Sequence, residues 1–227
     1  MNDTTDSTSG EELPAARFGS SSIARIDSGL SLEDMSSDDA PIINSWFRHD
    51  EASASTSWFP PGFRVDDELS QPGPVKSLKR ADRRDQTVEL INAYAWVVRR
   101  PGTQAPMGWA SGQVWPCHDF DSQIVEGRIP DDADDLPCAT FQLAVAPSYR
   151  GRGYGTAILA TIVADPRLRS TQIWLGIDVK NGASRTAAVR AGFEHEFTTA
   201  HYQFDRGEGY RRDLLNHMMH FRRATAV

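Results

Sequence analysis

The chain has 227 residues and a formal charge of -7, from 31 Asp and Glu against 24 Lys and Arg, with 39% hydrophobic residues. That apolar fraction is enough for a buried core and excludes a wholly disordered chain, while the acidic balance offers no overall attraction to a polyanion, so nucleic acid is not an expected partner. Two cysteines, Cys117 and Cys138, are too few for a disulfide scaffold and lack the spacing of a zinc site; no apolar run approaches the roughly 20 residues of a membrane span, and a secretory-signal layout is missing, so a soluble, cytoplasmic protein with no membrane partner and no metal is expected.

Residues 1–28 are rich in Ser, Thr, Asp and Glu and read as a disordered leader, with a single domain over 29–227. Five acids and two bases fall in residues 1–27, so removing them takes the charge from -7 to -4 and leaves the domain acidic in its own right. Residues 29–32 suggest an opening strand. Asp38 or Asp39 then caps a first helix with Ile42, Ile43, Trp46 and Phe47 on one side. From 49 to 85 the chain is irregular, with an aromatic-proline knot at Trp58 and Phe59 and a basic cluster (Lys76, Lys79, Arg80, Arg83, Arg84) that reads as a solvated helix face or as a phosphate contact. Residues 87–99 form a strand whose hairpin partner is 107–115, across the turn Arg100-Pro101-Gly102-Thr103. Between Cys117 and Pro137, seven acids against one base predict an exposed loop.

Strand alternation returns at Phe141, Leu143 and Val145, closed by Pro147, and is followed by Arg150-Gly151-Arg152-Gly153-Tyr154-Gly155-Thr156 and a helix striped with Ile158, Leu159, Ile162 and Val163. A helix start with free backbone N–H groups is an anion site, glycines let a phosphate approach them, and two guanidinium groups add charge: the loop is suited to a diphosphate. A triphosphate-binding loop would need Gly-Lys-Ser/Thr, and no lysine is present; a dinucleotide fingerprint would need a glycine where Thr156 stands. A strand at 172–179, a short alanine-rich helix ending at Gly192-Phe193, and two strands at 197–204 and 210–221 complete the pattern.

Arg150, Gly153 and Gly155 fill the signature (Arg or Gln, two residues, Gly, one residue, Gly or Ala) of the GNAT superfamily, the acetyl-CoA-dependent N-acetyltransferases, which this chain resembles. The lead-in from Val145 to Gly151 is similar too, and Asn181, Ser184, Arg190, Gly192 and Phe193 match a second block. The resemblance is specific over 141–193 and fits the family's layout over 29–221. It implies an α+β fold, a mixed and mostly antiparallel sheet flanked by helices (α/β/α), and acetyl-CoA as co-substrate. By that resemblance Val145 and Ala146 align the pantetheine arm and polarise the acetyl carbonyl, while Arg150, Gly151, Arg152, Gly153, Tyr154, Gly155, Thr156 and Asn181 bind the coenzyme. Trp46 and Ser184 are most similar to branches that acetylate protein amino termini or aminoglycosides.

Two positions depart from the family. Ala188 stands where a tyrosine often protonates the thiolate, and Ala139 where a carboxylate base is frequent. Tyr202 and Tyr154 are substitutes for the acid, and Glu89, Asp134, Asp135 and Asp178 for the base, with Tyr202 and Glu89 taken as the catalytic candidates; His118, His195 and His201 have no context of their own. The expected reaction is direct acetyl transfer to a primary amine of a small cationic molecule or of a peptide, with the acidic run 131–135 steering the acceptor. The alternatives are a non-catalytic acyl-CoA-binding sensor and an enzyme using a longer acyl chain. A homodimer is compatible with these features.

Overall fold

The computed structural model describes residues 29–47, 64–66, 78–79, 87–88, 90–125, 127–130, 135–205 and 209–223, apart from the side chains of 78, 79, 87, 88, 122, 123 and 201–216. The expected leader, the knot at Trp58 and Phe59, the basic residues other than Lys79, Glu89 and the acids 131–134 lie outside the described residues.

β1 (Ser31–Asp34) precedes α1 (Ala40–Ser45), and β2 (Leu78–Lys79) pairs with β3 (Thr87–Val88) in a small separate ladder. Lys79 is thus on a strand, not a helix face. The main sheet uses β4 (Asn92–Arg99), β5 (Gly108–Trp115), β6 (Cys138–Val145), β7 (Gln172–Asp178), β8 (Glu194–Asp205) and β9 (Gly209–Arg223), in the order β1-β4-β5-β6-β7-β9-β8. Between β5 and β6 runs α2 (Cys117–Gln123); α3 (Tyr154–Val163) connects β6 to β7, and α4 (Gly182–Arg190) connects β7 to β8. Every pairing is antiparallel except β6 with β7. This is the mixed, mostly antiparallel sheet expected, although residues 87–99 divide into β3 and β4 rather than forming one strand.

Alternation along the strands assigns the two faces. Trp96, Val98, Ala110, Phe141, Ile173, Leu175 and Phe221 pack with Ile158, Leu159 and Ile162 of α3 and Ala188 of α4. Residues of the opposite parity face the other way: Val97, Trp109 and Ala144 pack with Ile43 and Trp46 of α1, and Trp115, Cys138 and Trp174 pack with Phe120 of α2. The sheet is therefore covered on both sides.

Two local expectations are corrected. The segment after Cys117 is not simply an exposed loop: Phe120 and Val125 are buried, because Phe120 and Ile124 recur at helical spacing between the acids. Asp39 precedes α1 but does not cap it. Its carboxylate accepts from the N–H and Oγ of Ser36 and pairs with Arg99, and Ile42 points outward.

The one parallel pair decides where a site forms. β6 and β7 are registered only over Cys138–Thr140 with Gln172–Trp174. Beyond Thr140 the strands continue but diverge, opening a wedge in the middle of the sheet.

Candidate active site

The wedge is the floor of a cleft of about 1050 Å³. Its lining runs from the glycine loop and the start of α4, through the diverging strands, to Phe120, Ile124, Trp174, Met218 and His220 on the α2 side.

At the loop end, Pro147–Tyr149 makes one turn of 3-10 helix, Gly151 has φ +72°, and Gly153, the residue before α3, has φ +84°. A Cβ at Gly151 or Gly153 would meet nothing within 4 Å, so glycine is required there by backbone conformation and not by space. The first helical bond is from Ala157 N–H to Gly153 O at 3.2 Å, leaving the N–H groups of Tyr154, Gly155 and Thr156 without intrahelical acceptors. Those three residues line the cleft, as do Arg150, Gly151 and Gly153. Gly155 lies against α4, where a Cβ would stand 3.6 Å from that of Ala187. Asn181 also lines the cleft, but its side-chain oxygen accepts from Ser184 N–H at 3.1 Å and so starts α4.

The two arginines separate. Both are exposed, but Arg150 donates from Nε to Val145 O at 3.0 Å and lines the cleft, whereas Arg152 is not among its lining residues. Tyr154 contributes to the wall, but its hydroxyl receives a hydrogen bond from Arg100, whose guanidinium lies over its ring.

Val145 and Ala146 also separate. Ala146 N–H donates to Met107 O at 2.9 Å, which makes Ala146 a hydrogen-bonded position on the β5 side. Hydrogen-bonding direction alternates along an antiparallel strand, so Val145, opposite Gly108, turns its N–H and C=O toward the wedge. The contact from Arg150 to the Val145 carbonyl is made on that edge.

The proton-handling candidates are dispersed. Tyr202 lies in β8, but its side chain, like that of His201, is outside the described residues, as are Glu89 and Asp134. Asp135 and His118 are exposed, Asp178 accepts from Lys180 N–H at 2.7 Å, and His195 contacts Thr198 at 3.1 Å; none of these lines the cleft. Ala139 and Ala188 are fully buried core residues. His220, which sequence reasoning passed over, does line the cleft. Its only signal was a polar residue in an apolar run, Met218-Met219-His220-Phe221. Both cysteines are free thiols, and burial pushes each thiol pKa up, so neither is a thiolate nucleophile at neutral pH. No cluster of metal-ligating side chains occurs among the described residues.

The family model for the acetyltransferase (GNAT) family matches residues 63–193, more than half of the chain. The chain is a GNAT-family acetyltransferase. Among solved structures, the yncA protein of Salmonella typhimurium, determined with acetyl-CoA, has 13% identity and a TM-score of 0.52, covering 87% of this chain and 95% of its own. The aminoglycoside acetyltransferase AAC(6')-Ib, in complex with coenzyme A and kanamycin, has 16% identity and a TM-score of 0.51 over 86% of this chain and 94% of its own. The smu.2055 protein of Streptococcus mutans has 12% identity and a TM-score of 0.53 over 87% and 99%. Likeness at these identities speaks for the fold. No curated protein matches the chain by sequence. The GNAT fold here has no helix long and apolar enough to cross a membrane among the described residues.

Proposed function

We propose that this GNAT protein transfers the acetyl group of acetyl-CoA to a primary amine by direct attack, with the coenzyme entering at the glycine loop and the amine from the α2 side. The observation that carries this reading is the continuity of the cleft: it joins the N–H groups at the start of α3 to the opposite face of the sheet through the wedge between β6 and β7. A diphosphate suits the amides of Tyr154, Gly155 and Thr156, with Arg150 adjacent. Acetyl transfer needs a neutral amine in line with the thioester carbon and a donor for the developing oxyanion. The Val145 N–H, directed into the wedge, fits that donor role.

The acceptor is an amine on a small molecule or a peptide. No Asp or Glu is among the described lining residues, and the α2 side is formed by Phe120, Ile124, Trp174 and Met218 with Thr140 and Gln142. Such a wall favours an amine on a largely neutral body, such as a peptide amino terminus, over a polycation. We place the enzyme in the cytoplasm, a reducing compartment that suits its two free thiols. The test is calorimetry with CoA and acetyl-CoA, followed by thiol release in the presence of peptides, monoamines and aminoglycosides. Binding with turnover on one class is expected. Binding without turnover on any amine would make the protein a sensor, and no heat with either coenzyme would overturn the reading.

A further inference from the structure

We propose that His220, held by Thr199, is the base that takes the proton from the acceptor ammonium; this rests on the acetyltransfer reading above. His220 lies in β9 directly opposite Gly176 of β7, and both belong to the face that carries Trp174 and α2. His220 lines the cleft although it is 4% exposed, and the space over Gly176 itself is taken by Met218, whose Sδ would stand 2.9 Å from a Cβ there. Among the described lining residues contributed by the strands it is the one titratable side chain. The other ionisable groups of the cleft, Tyr149, Arg150, Tyr154 and Arg190, belong to the loop and to α4.

A buried imidazole needs its charge states supported by neighbours. Thr199 Oγ1 is 2.8 Å from His220 Nε2, and Thr199 is itself buried. The Phe197 ring stacks on the imidazole with centroids 4.7 Å apart at 28°, offering a π face to an imidazolium. The charged groups around it are the Arg222–Glu196 ion pair on β9 and β8 (2.6 Å), Arg128 over the Phe197 ring, and Asp178 on β7 beside Met218. Strands about 4.8 Å apart put β9 roughly 10 Å from β6 across the sheet, and the registers set His220 level with Gln142, three residues before Val145, so the proton reaches the imidazole through water in the cleft.

The proton balance is complete. The acceptor ammonium gives one proton to the imidazole, and its nitrogen forms a bond to the thioester carbon. The carbon–sulfur bond breaks, and the thiolate ends with a second proton from the amine nitrogen. The imidazolium then returns its proton to solvent.

The experiment measures kcat/KM against pH for wild type, His220→Gln and Thr199→Val, using acetyl-CoA and whichever of tyramine, spermidine, kanamycin or an Ala-initiated tetrapeptide turns over fastest. Wild type should rise through an imidazole ionisation and level off before the amine's own pKa, because the reactive pair is neutral imidazole with ammonium. His220→Gln should lose about 100-fold at pH 7, and its profile should climb without a plateau up to the amine's pKa. CoA affinity should stay at the wild-type value. Thr199→Val should move the imidazole limb and leave CoA affinity alone. A wild-type profile in His220→Gln overturns the proposal and leaves acetyl transfer standing. Should His220→Gln fail to fold, an unmoved limb in Thr199→Val overturns it on its own. Absence of both CoA binding and turnover in wild type would instead sink the underlying reading.

Discussion

The two ends of the cleft are built on different principles. The loop end is one continuous stretch, Val145 to Thr156, which offers the cleft backbone amides set by two left-handed glycines. The α2 end is assembled from side chains of α2, β6, β7 and β9, contributed by residues as far apart as Phe120 and His220, with Thr199 of β8 behind His220. Backbone amides bind what any anion offers and tolerate sequence change around them. Side chains converging from four elements would, on the proposed reading, shape the acceptor end, and each is a separate point of failure.

That contrast predicts that damage at the α2 end is read in turnover and damage at the loop end in coenzyme affinity. The largest separation should come from the His220 variants described above. Next, Gly153→Ala forces a Cβ into a left-handed conformation at a cost of about 1–2 kcal/mol. It should weaken CoA binding about tenfold by calorimetry, and an unchanged Kd would mean that the start of α3 does not hold the coenzyme. Arg150→Ala removes a guanidinium that lines the cleft. It should cost roughly tenfold in CoA affinity and flatten its salt dependence, whereas Arg152→Ala should stay within about threefold. Equal effects from the two would erase the distinction drawn between them.

Between the ends, Gly112 tests packing in the cleft lining itself. A Cβ there would fall 2.0 Å from the Phe141 ring, beneath the wedge. Gly112→Ala should lower stability by about 1–3 kcal/mol, or roughly 2–12 °C in Tm by scanning calorimetry. An unshifted Tm would mean that Phe141 relaxes freely. The smallest effect concerns the half-buried Cys117 and the buried Cys138, whose thiols stay protonated at neutral pH because burial pushes both pKa values up. Iodoacetamide at pH 7 should leave activity intact and modify the folded protein far more slowly than the unfolded chain.

The loop was legible in the sequence because its chemistry is local. Three alternating glycines after a strand and before a helix state the backbone geometry by themselves, and Arg150, Gly153 and Gly155 add a family pattern. Other readings failed where a local signal had two meanings. The acids around Phe120 hid a helix, since charge on the solvent side says nothing about the buried side. Asp39 had the residue type of a cap but found stronger partners in Ser36 and Arg99. Arg150 and Arg152 are equivalent as letters and both are exposed, and only the folded turn brings Arg150 to Val145 and the cleft lining.

By itself the sequence determined most of the strands, the helices α1, α3 and α4 and a glycine turn suited to an anion, because strand alternation, glycine spacing and helix stripes are properties of neighbours along the chain; the mixed sheet followed from the family resemblance. The tertiary structure decided where β6 and β7 part, which amide faces the gap, and that a histidine near the end of the chain lies opposite Gly176 in register and lines the cleft. Those facts depend on strand order and register, which bring together residues that no local pattern relates.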